Sequence, residues 1–190
     1  MKKAIVIINI LFIFLSFNLQ QVSAQSPSPE VTITPSPTPK PIQYNLAYPG
    51  ILPDNPLYKL KVLRDKISEK LTNDPSKRID FYLLQVDKQI LATSMLIEKN
   101  KIDLAKDTAL KGEDNYTKLV REYKTLNAKP KKDKFTKLKN AALKHQEILE
   151  NIIKKVDEKD KKTFKNVMYF SQVNLQELNN LYSSEDLNEL

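Results

Sequence analysis

An all-α fold, an elongated antiparallel bundle of about five helices built from helical hairpins, is predicted by three observations. Glycine occurs only at Gly50 and Gly112, and beyond Pro75 the single proline is Pro130. Strands joined by tight turns need more of both residue types. Past residue 75, apolar side chains recur at alternating steps of three and four, the period of one helix face. The chain also has no cysteine, so no disulfide framework is available and packing has to hold the fold.

Taken in order, Lys2 and Lys3, the apolar run Ala4 to Phe17 and the small-residue site Val22-Ser23-Ala24 have the layout of a signal peptide, residues 1–24, cut after Ala24. The run is shorter than the roughly 18 to 20 residues that cross a bilayer comfortably, so an uncleaved anchor is the weaker reading. Membrane contact is then expected only through this segment, if it is retained. Residues 25–47, opening "QSPSPEVTITPSPTPKPIQYN", are expected to be a disordered Pro/Ser/Thr-rich linker, because such a tract cannot bury enough apolar surface to offset the entropy of ordering. Residues 48–183 are the predicted helical domain, about 140 residues and enough for one core. Residues 184–190 form a short C-terminal tail.

Pro49-Gly50 predicts a turn leaving the spacer, and Pro53-Asp54-Asn55-Pro56 supplies capping side chains with a proline near the first helical position. A first helix follows with Leu57, Leu60, Leu63 (or Arg64), Ile67 and Leu71 on one side. Pro49, Gly50, Ile51, Leu52, Pro53, Asp54, Pro56, Leu57 and Tyr58 are predicted to form an N-terminal docking motif. Ile51, Leu52, Leu57 and Tyr58 are expected to fold onto the bundle and lock its start. The second helix carries the stripe Ile79, Leu83, Val86, Ile90, Thr93, Ile97, with Asp74 as N-cap before Pro75 and Asn100 at its end. The third carries Ile102, Ala105, Ala109, Gly112, Tyr116, Leu119, Tyr123, Leu126. The fourth gives Phe135, Leu138, Ala142, His145, Leu149, Ile152, Val156, and the fifth Phe164, Met168, Ser171, Leu175, Leu178, Tyr182. Asp133 and Asp157 (or Asp160) are candidate caps for these last two. Connections near 99–102, 127–133 and 156–160 are short, which predicts antiparallel neighbours in sequence order. A tetratricopeptide-like array lacks a second copy of its spacing, and a parallel coiled-coil dimer needs uninterrupted helices.

The formal charge is +8, and loss of Lys2 and Lys3 with the leader leaves +6. Only Arg64, Arg78 and Arg121 are arginines. Lysine mixed with Asp and Glu is the pattern of solvated helix faces, whereas bidentate phosphate recognition favours arginine. The densest basic stretch, "KPKKDKFTKLK", offers Lys129, Lys131, Lys132, Lys134, Lys137 and Lys139 as a candidate polyanion contact. Its one neighbouring aromatic, Phe135, falls on the buried stripe by spacing, so base stacking is not favoured.

No catalytic, cofactor-binding or metal-ligating residue is predicted, and no cofactor. His145 is the only histidine, and without cysteine it cannot complete a zinc site. Its place between Ala142 and Leu149 predicts a partly buried, hydrogen-bonded imidazole. Glu147 and Glu150, or Asp157, Glu158 and Asp160, lack the Gly-bearing turn of a calcium loop. Phosphate-cradling loops, nucleophile elbows and His-Glu-x-x-His pairs are absent from the sequence. Most tyrosines, among them Tyr82, Tyr116, Tyr123, Tyr169 and Tyr182, are expected in the core or at its edge. Asn115-Tyr116-Thr117 matches a glycosylation sequon but falls mid-helix.

"YPGILPDNPLYKLKVLRDKI", then "NDPSKRIDFYLLQVDKQI" and "KHQEILENIIKKV", resemble the secreted bacterial and archaeal family known as domain of unknown function 5667. The resemblance implies a signal peptide, a low-complexity spacer and an all-helical extracytoplasmic domain with no assigned activity, and it brings no catalytic residues. This copy is lysine-rich where the family's helices are richer in Ala and Glu. The expected function is therefore an exported, secreted or cell-surface, non-enzymatic interaction or structural module, with an envelope protein or anionic polymer as partner. A polyanion-binding role through residues 129–139 is the alternative. Partner identity and oligomeric state stay open at this level.

Overall fold

The computed structural model describes residues 42–126 and 129–181. Among them are five helices and no strand: α1 Tyr58–Leu71, α2 Pro75–Glu98, α3 Ile102–Thr125, α4 Lys132–Lys155 and α5 Glu158–Asn179. The predicted leader, the tail, Tyr182 and all but the last six residues of the spacer lie outside the described residues. No described helix is long and apolar enough to cross a membrane.

The helix ends follow from local chemistry. The Asp74 carboxylate accepts from the backbone N–H of Ser76 at 2.8 Å and of Lys77 at 3.4 Å, with Pro75 opening α2. Asn100 takes the left-handed conformation, φ 56°, that stops α2. Its N–H bonds to Ile97 O and that of Lys101 to Leu96 O, which is a Schellman closure. Two expected caps differ. Asp133 lies inside the first turn of α4, and Asp157 stands at the N-cap of α5 without a side-chain hydrogen bond.

α2 and α3 form one hairpin and α4 and α5 another, while α3 also packs along α5 and α2 along α4. Arg78 at the start of α2 forks onto Glu122 at the end of α3 at 3.1 and 2.7 Å, so that pair is antiparallel. Lys106–Asp160 (2.5 Å) joins the starts of α3 and α5, and Lys124–Glu177 (2.7 Å) joins their ends, so those two run parallel. Around the bundle the order is α2, α3, α5, α4. The consecutive helices α3 and α4 are therefore not the neighbours that chain order predicts. The stretch between Thr125 and Lys132, at up to about 3.3 to 3.6 Å per residue, is long enough to cross the end of the bundle, whereas the shorter links after α2 and α4 are not.

The predicted stripes of α2 to α5 are the core. Val86, Ile90, Ala105, Ala109, Tyr116, Leu119, Phe135, Leu138, Ala142, Leu149, Phe164 and Leu178 are fully or almost fully buried; Leu96, outside the predicted α2 stripe, joins them, whereas Leu126, which ends the predicted α3 stripe, is 45 % exposed. Each large buried aliphatic contributes on the order of 1.5 to 3 kcal/mol by leaving water. Small residues on α3 bring α2 close: a Cβ on Gly112 would stand 3.3 Å from Ile90 Cδ1.

α1 departs from expectation. None of its residues is buried, and Leu57, Leu60, Leu63, Ile67 and Leu71 are each between 50 % and 74 % exposed. The apolar stripe exists and points away from the bundle. The reason lies on the opposite side, where Tyr58, Asp65 and Glu69 face a polar crevice of about 310 Å³ lined by Gln85, Gln89, Asn115 and Lys118. The Tyr82 hydroxyl donates to Glu69 Oε1 at 3.0 Å. That side of α1 meets the bundle mainly through polar side chains, with Val62 and Phe81 the apolar part of the lining.

Asp74→Ala is expected to lower stability by about 1 kcal/mol, and Asp157→Ala, with no side-chain bond to lose, by less than half of that. Urea melts of the two variants against the parent chain check the contrast.

Candidate functional site

The N-terminal segment is held by an ordered set of local contacts. Gly50 has φ 68°, a conformation that favours glycine, and turns the chain after Pro49. The Lys61 ammonium then donates to Pro49 O at 2.7 Å and Ile51 O at 3.4 Å, and lies 5.4 Å from the centre of the Tyr58 ring. Burial lowers the pKa of this lysine from its ordinary value. Asn55 Oδ1 caps the N–H of Leu57 at 2.9 Å, and Asp54 pairs with Lys99 at 2.9 Å. Pro53 is partly buried and Pro56 is exposed. Of the four side chains expected to fold onto the bundle, Leu52 is buried and Tyr58 half-buried. Ile51 and Leu57 are exposed, because the turn faces them the same way as the α1 stripe.

Residues Ile42 to Ala47, which composition assigns to the spacer, pack with the bundle. The compact unit begins at Pro41. The Tyr44 hydroxyl donates to Asp87 Oδ2 at 2.8 Å, and Leu46 is partly buried against the core. Asp87 is itself buried, and its Oδ1 lies 2.8 Å from His145 Nε2. Tyr44 and Tyr116 approach the imidazole edge-on, with ring centres 6.5 and 6.2 Å away. Burial, then the adjacent Asp87 carboxylate, push the Tyr44 hydroxyl well above its ordinary range, so it stays a donor. His145 is thus the buried, hydrogen-bonded imidazole that its spacing predicts. Asp87 and Tyr44 complete its setting; nothing in the sequence marks Asp87, and Tyr44 stands out only as a break in the Pro/Ser/Thr composition.

A second buried polar group lies between α3 and α5. Asn174 Nδ2 donates to Glu113 Oε1 at 2.6 Å and to Thr117 Oγ1 at 2.8 Å. Burial pushes the Glu113 carboxyl up to about 7, against the lowering effect of the Asn174 bond. No sequence signal marks Glu113, which sits one place past the stripe residue Gly112, where a charged residue ordinarily faces water.

The six lysines of the basic stretch are not gathered. Lys131, Lys132 and Lys137 are exposed, Lys134 pairs with Asp80, and Lys139 is half-buried. At about 100° of rotation per residue, Lys132 and Lys139 share one side of α4 and Lys134 and Lys137 the opposite one. Lys129 is exposed just ahead of the helix. Four of the five acidic candidates meet a lysine: Glu147–Lys144 at 2.7 Å, Glu150–Lys154 at 2.8 Å, Glu158–Lys161 at 2.9 Å and Asp160–Lys106 at 2.5 Å. Among the described residues no cluster of His, Asp and Glu could hold a metal ion. Tyr82, Tyr116 and Tyr123 are buried, but Tyr169 is exposed beside Phe170, contrary to its expected place at the core edge. The sequon residue Asn115 bonds Gln89 Oε1 and Lys111 O within the α2–α3 hairpin.

Compared with known proteins, the chain matches at residues 50–159 the family model described as Domain of unknown function (DUF5667). No curated protein and no solved structure matches it.

Two outcomes follow from the buried polar groups. With a folded pKa of about 7 against 4.5, Glu113 binds its proton more tightly in the folded chain. Its contribution is therefore complete at acid pH and is lost as pH rises from the ordinary glutamate range through about 7, by up to about 3 kcal/mol. Glu113→Gln is expected to flatten that part of the stability profile, followed by chemical denaturation across pH 4 to 9. Tyr44→Phe keeps the ring but leaves Asp87 one donor short. It is expected to cost about 1 to 2 kcal/mol and to expose residues 42–47 to limited proteolysis.

Proposed function

We propose, from the premise that the chain belongs to the DUF5667 family of domains of unknown function, that this protein is an exported, non-enzymatic interaction module whose docking element is α1. The observation that carries this reading is the outward face of that helix. Leu57, Leu60, Leu63, Ile67 and Leu71 stay exposed although an apolar core lies one helix away. Exposed apolar patches in the range of about 300 to 600 Å² are the largest that soluble monomers ordinarily carry, and they are often functional. The stripe combines this surface with an otherwise complete bundle.

Export is supported by the leader-like composition of residues 1–24 and the Pro/Ser/Thr tract that follows. The alternative, polyanion binding through Lys129 to Lys139, is less well supported because the helical lysines split between opposite sides of α4 and Lys134 is paired with Asp80. It predicts retention on acidic polymer that falls steeply with salt and is indifferent to α1.

In cells expressing the full chain, the protein is expected outside the cytoplasm with Gln25 as its first residue, and in the envelope fraction. Leu60→Gln combined with Leu63→Gln and Ile67→Gln is expected to release it to the soluble fraction without changing its far-ultraviolet dichroism. Cytoplasmic protein still beginning at Met1, or envelope retention unaffected by the triple variant, contradicts the reading.

A further inference from the structure

The charges on α1 are sorted as sharply as its apolar residues. Its two acidic side chains, Asp65 and Glu69, both turn toward the bundle and line the crevice there. Lys59, Lys66 and Lys70 are exposed along one edge of the stripe, and Arg64, bonded to Asp65 at 2.7 Å, lies on the other. The stripe continues at its N-terminal end into an open hollow of about 490 Å³ lined by Tyr48, Ile51, Leu57 and Leu60. Lys61, Arg64 and Lys88 also line this hollow, and no carboxylate does. Tyr48, 69 % exposed, offers the amphipathic ring that suits a boundary between apolar and polar phases.

We infer that this face of the chain, the α1 stripe with its lysine border, docks on the surface of an anionic lipid bilayer. This rests on the reading of α1 as the docking element and supplies its partner. A helix lying in the headgroup layer needs an aliphatic face to enter the acyl boundary, basic side chains on its flanks to meet lipid phosphates, and acidic side chains kept away. α1 has all three. The lysine stems extend the apolar contact while their ammonium groups reach the headgroups. A convex aliphatic face suits a fluid bilayer, whereas a protein groove would have to be shaped to it. A second copy is the poorer occupant: an antiparallel two-fold pairing of stripes brings two lysine borders together, and one face of a 14-residue helix, about 21 Å long at 1.5 Å per residue, is small beside the roughly 800 Å² per partner of a standard interface.

The test is flotation of the chain begun at Gln25, which keeps all of the compact unit Pro41–Leu190 and removes the leader as a source of lipid binding. Vesicles of phosphatidylcholine with about a quarter phosphatidylglycerol are compared with pure phosphatidylcholine at low and moderate salt. The chain is expected to float with the anionic vesicles and not with the neutral ones. Leu60→Gln/Leu63→Gln/Ile67→Gln and, separately, Lys59→Glu/Lys66→Glu/Lys70→Glu are each expected to weaken binding at least about tenfold. Because these side chains are exposed, unchanged dichroism and thermal midpoint identify the loss as one of contact. No flotation with anionic vesicles, equal binding to neutral ones, or binding untouched by the apolar triple overturns the inference. Self-association in sedimentation that the apolar triple abolishes, with no flotation, overturns the lipid assignment and leaves α1 as a docking element. Envelope release in cells by that triple, without vesicle binding in vitro, separates the two claims in the same way.

Discussion

Mutual burial of four apolar stripes is the constraint on which the rest of this structure depends. No cysteine is available, and none of α2 to α5 can cover its own stripe. α3 sets the spacing, because Ala105, Ala109 and Gly112 put almost no bulk toward α2 and let the hairpin close. The larger residues Tyr116, Leu119 and Tyr123 then fill the other half of the same face. α4 answers with Phe135, Leu138 and Leu149, and α5 closes the ring with Phe164, Val167 and Leu178. The Arg78–Glu122 fork and the Lys106–Asp160 and Lys124–Glu177 pairs sit at the helix ends, where they align elements that the core already holds together.

Inside that frame, polar side chains set register. Apolar stripes tolerate sliding, whereas Asp87 can satisfy His145 and Tyr44 in only one alignment of α2, α4 and the incoming chain. Asn174 has the same effect between α3 and α5 through Glu113 and Thr117. A buried polar group left without its partner costs about 1 to 3 kcal/mol, so misaligned packings are penalised. The Tyr44 bond has a second consequence, since it fixes where the proline-rich tract ends and the domain begins.

Period alone carried much of the fold into view. The stripes of α2 and α4 are buried nearly residue for residue, that of α3 from Ala105 to Tyr123 but not at Leu126, and Asp74-Pro75 and Asn100 mark real ends. What stayed hidden depends on surfaces that one helix's pattern does not contain. Leu57 to Leu71 has a clear apolar side, but its direction is decided by the polar outer face of the α2–α3 hairpin and by Tyr82 and Lys118 reaching for Glu69. The exchange of neighbours between α3 and α4 depends on loop reach, which periodicity does not encode. Tyr44 was concealed by proline-rich composition, although Tyr and Leu at 44 and 46 break from the Pro/Ser/Thr alphabet before it. Glu113 and Asp87 were concealed by charge, since nothing local distinguishes a buried carboxylate from a solvated one.

The attachment of α1 has an evolutionary consequence. Among the described residues its ties include polar contacts with the α2–α3 hairpin and the lysine clamp on the preceding turn, and none of its side chains is fully buried. Mutations on its outward side therefore carry almost no penalty for the scaffold. The helix can drift under selection for whatever it meets while the four-stripe framework is inherited intact.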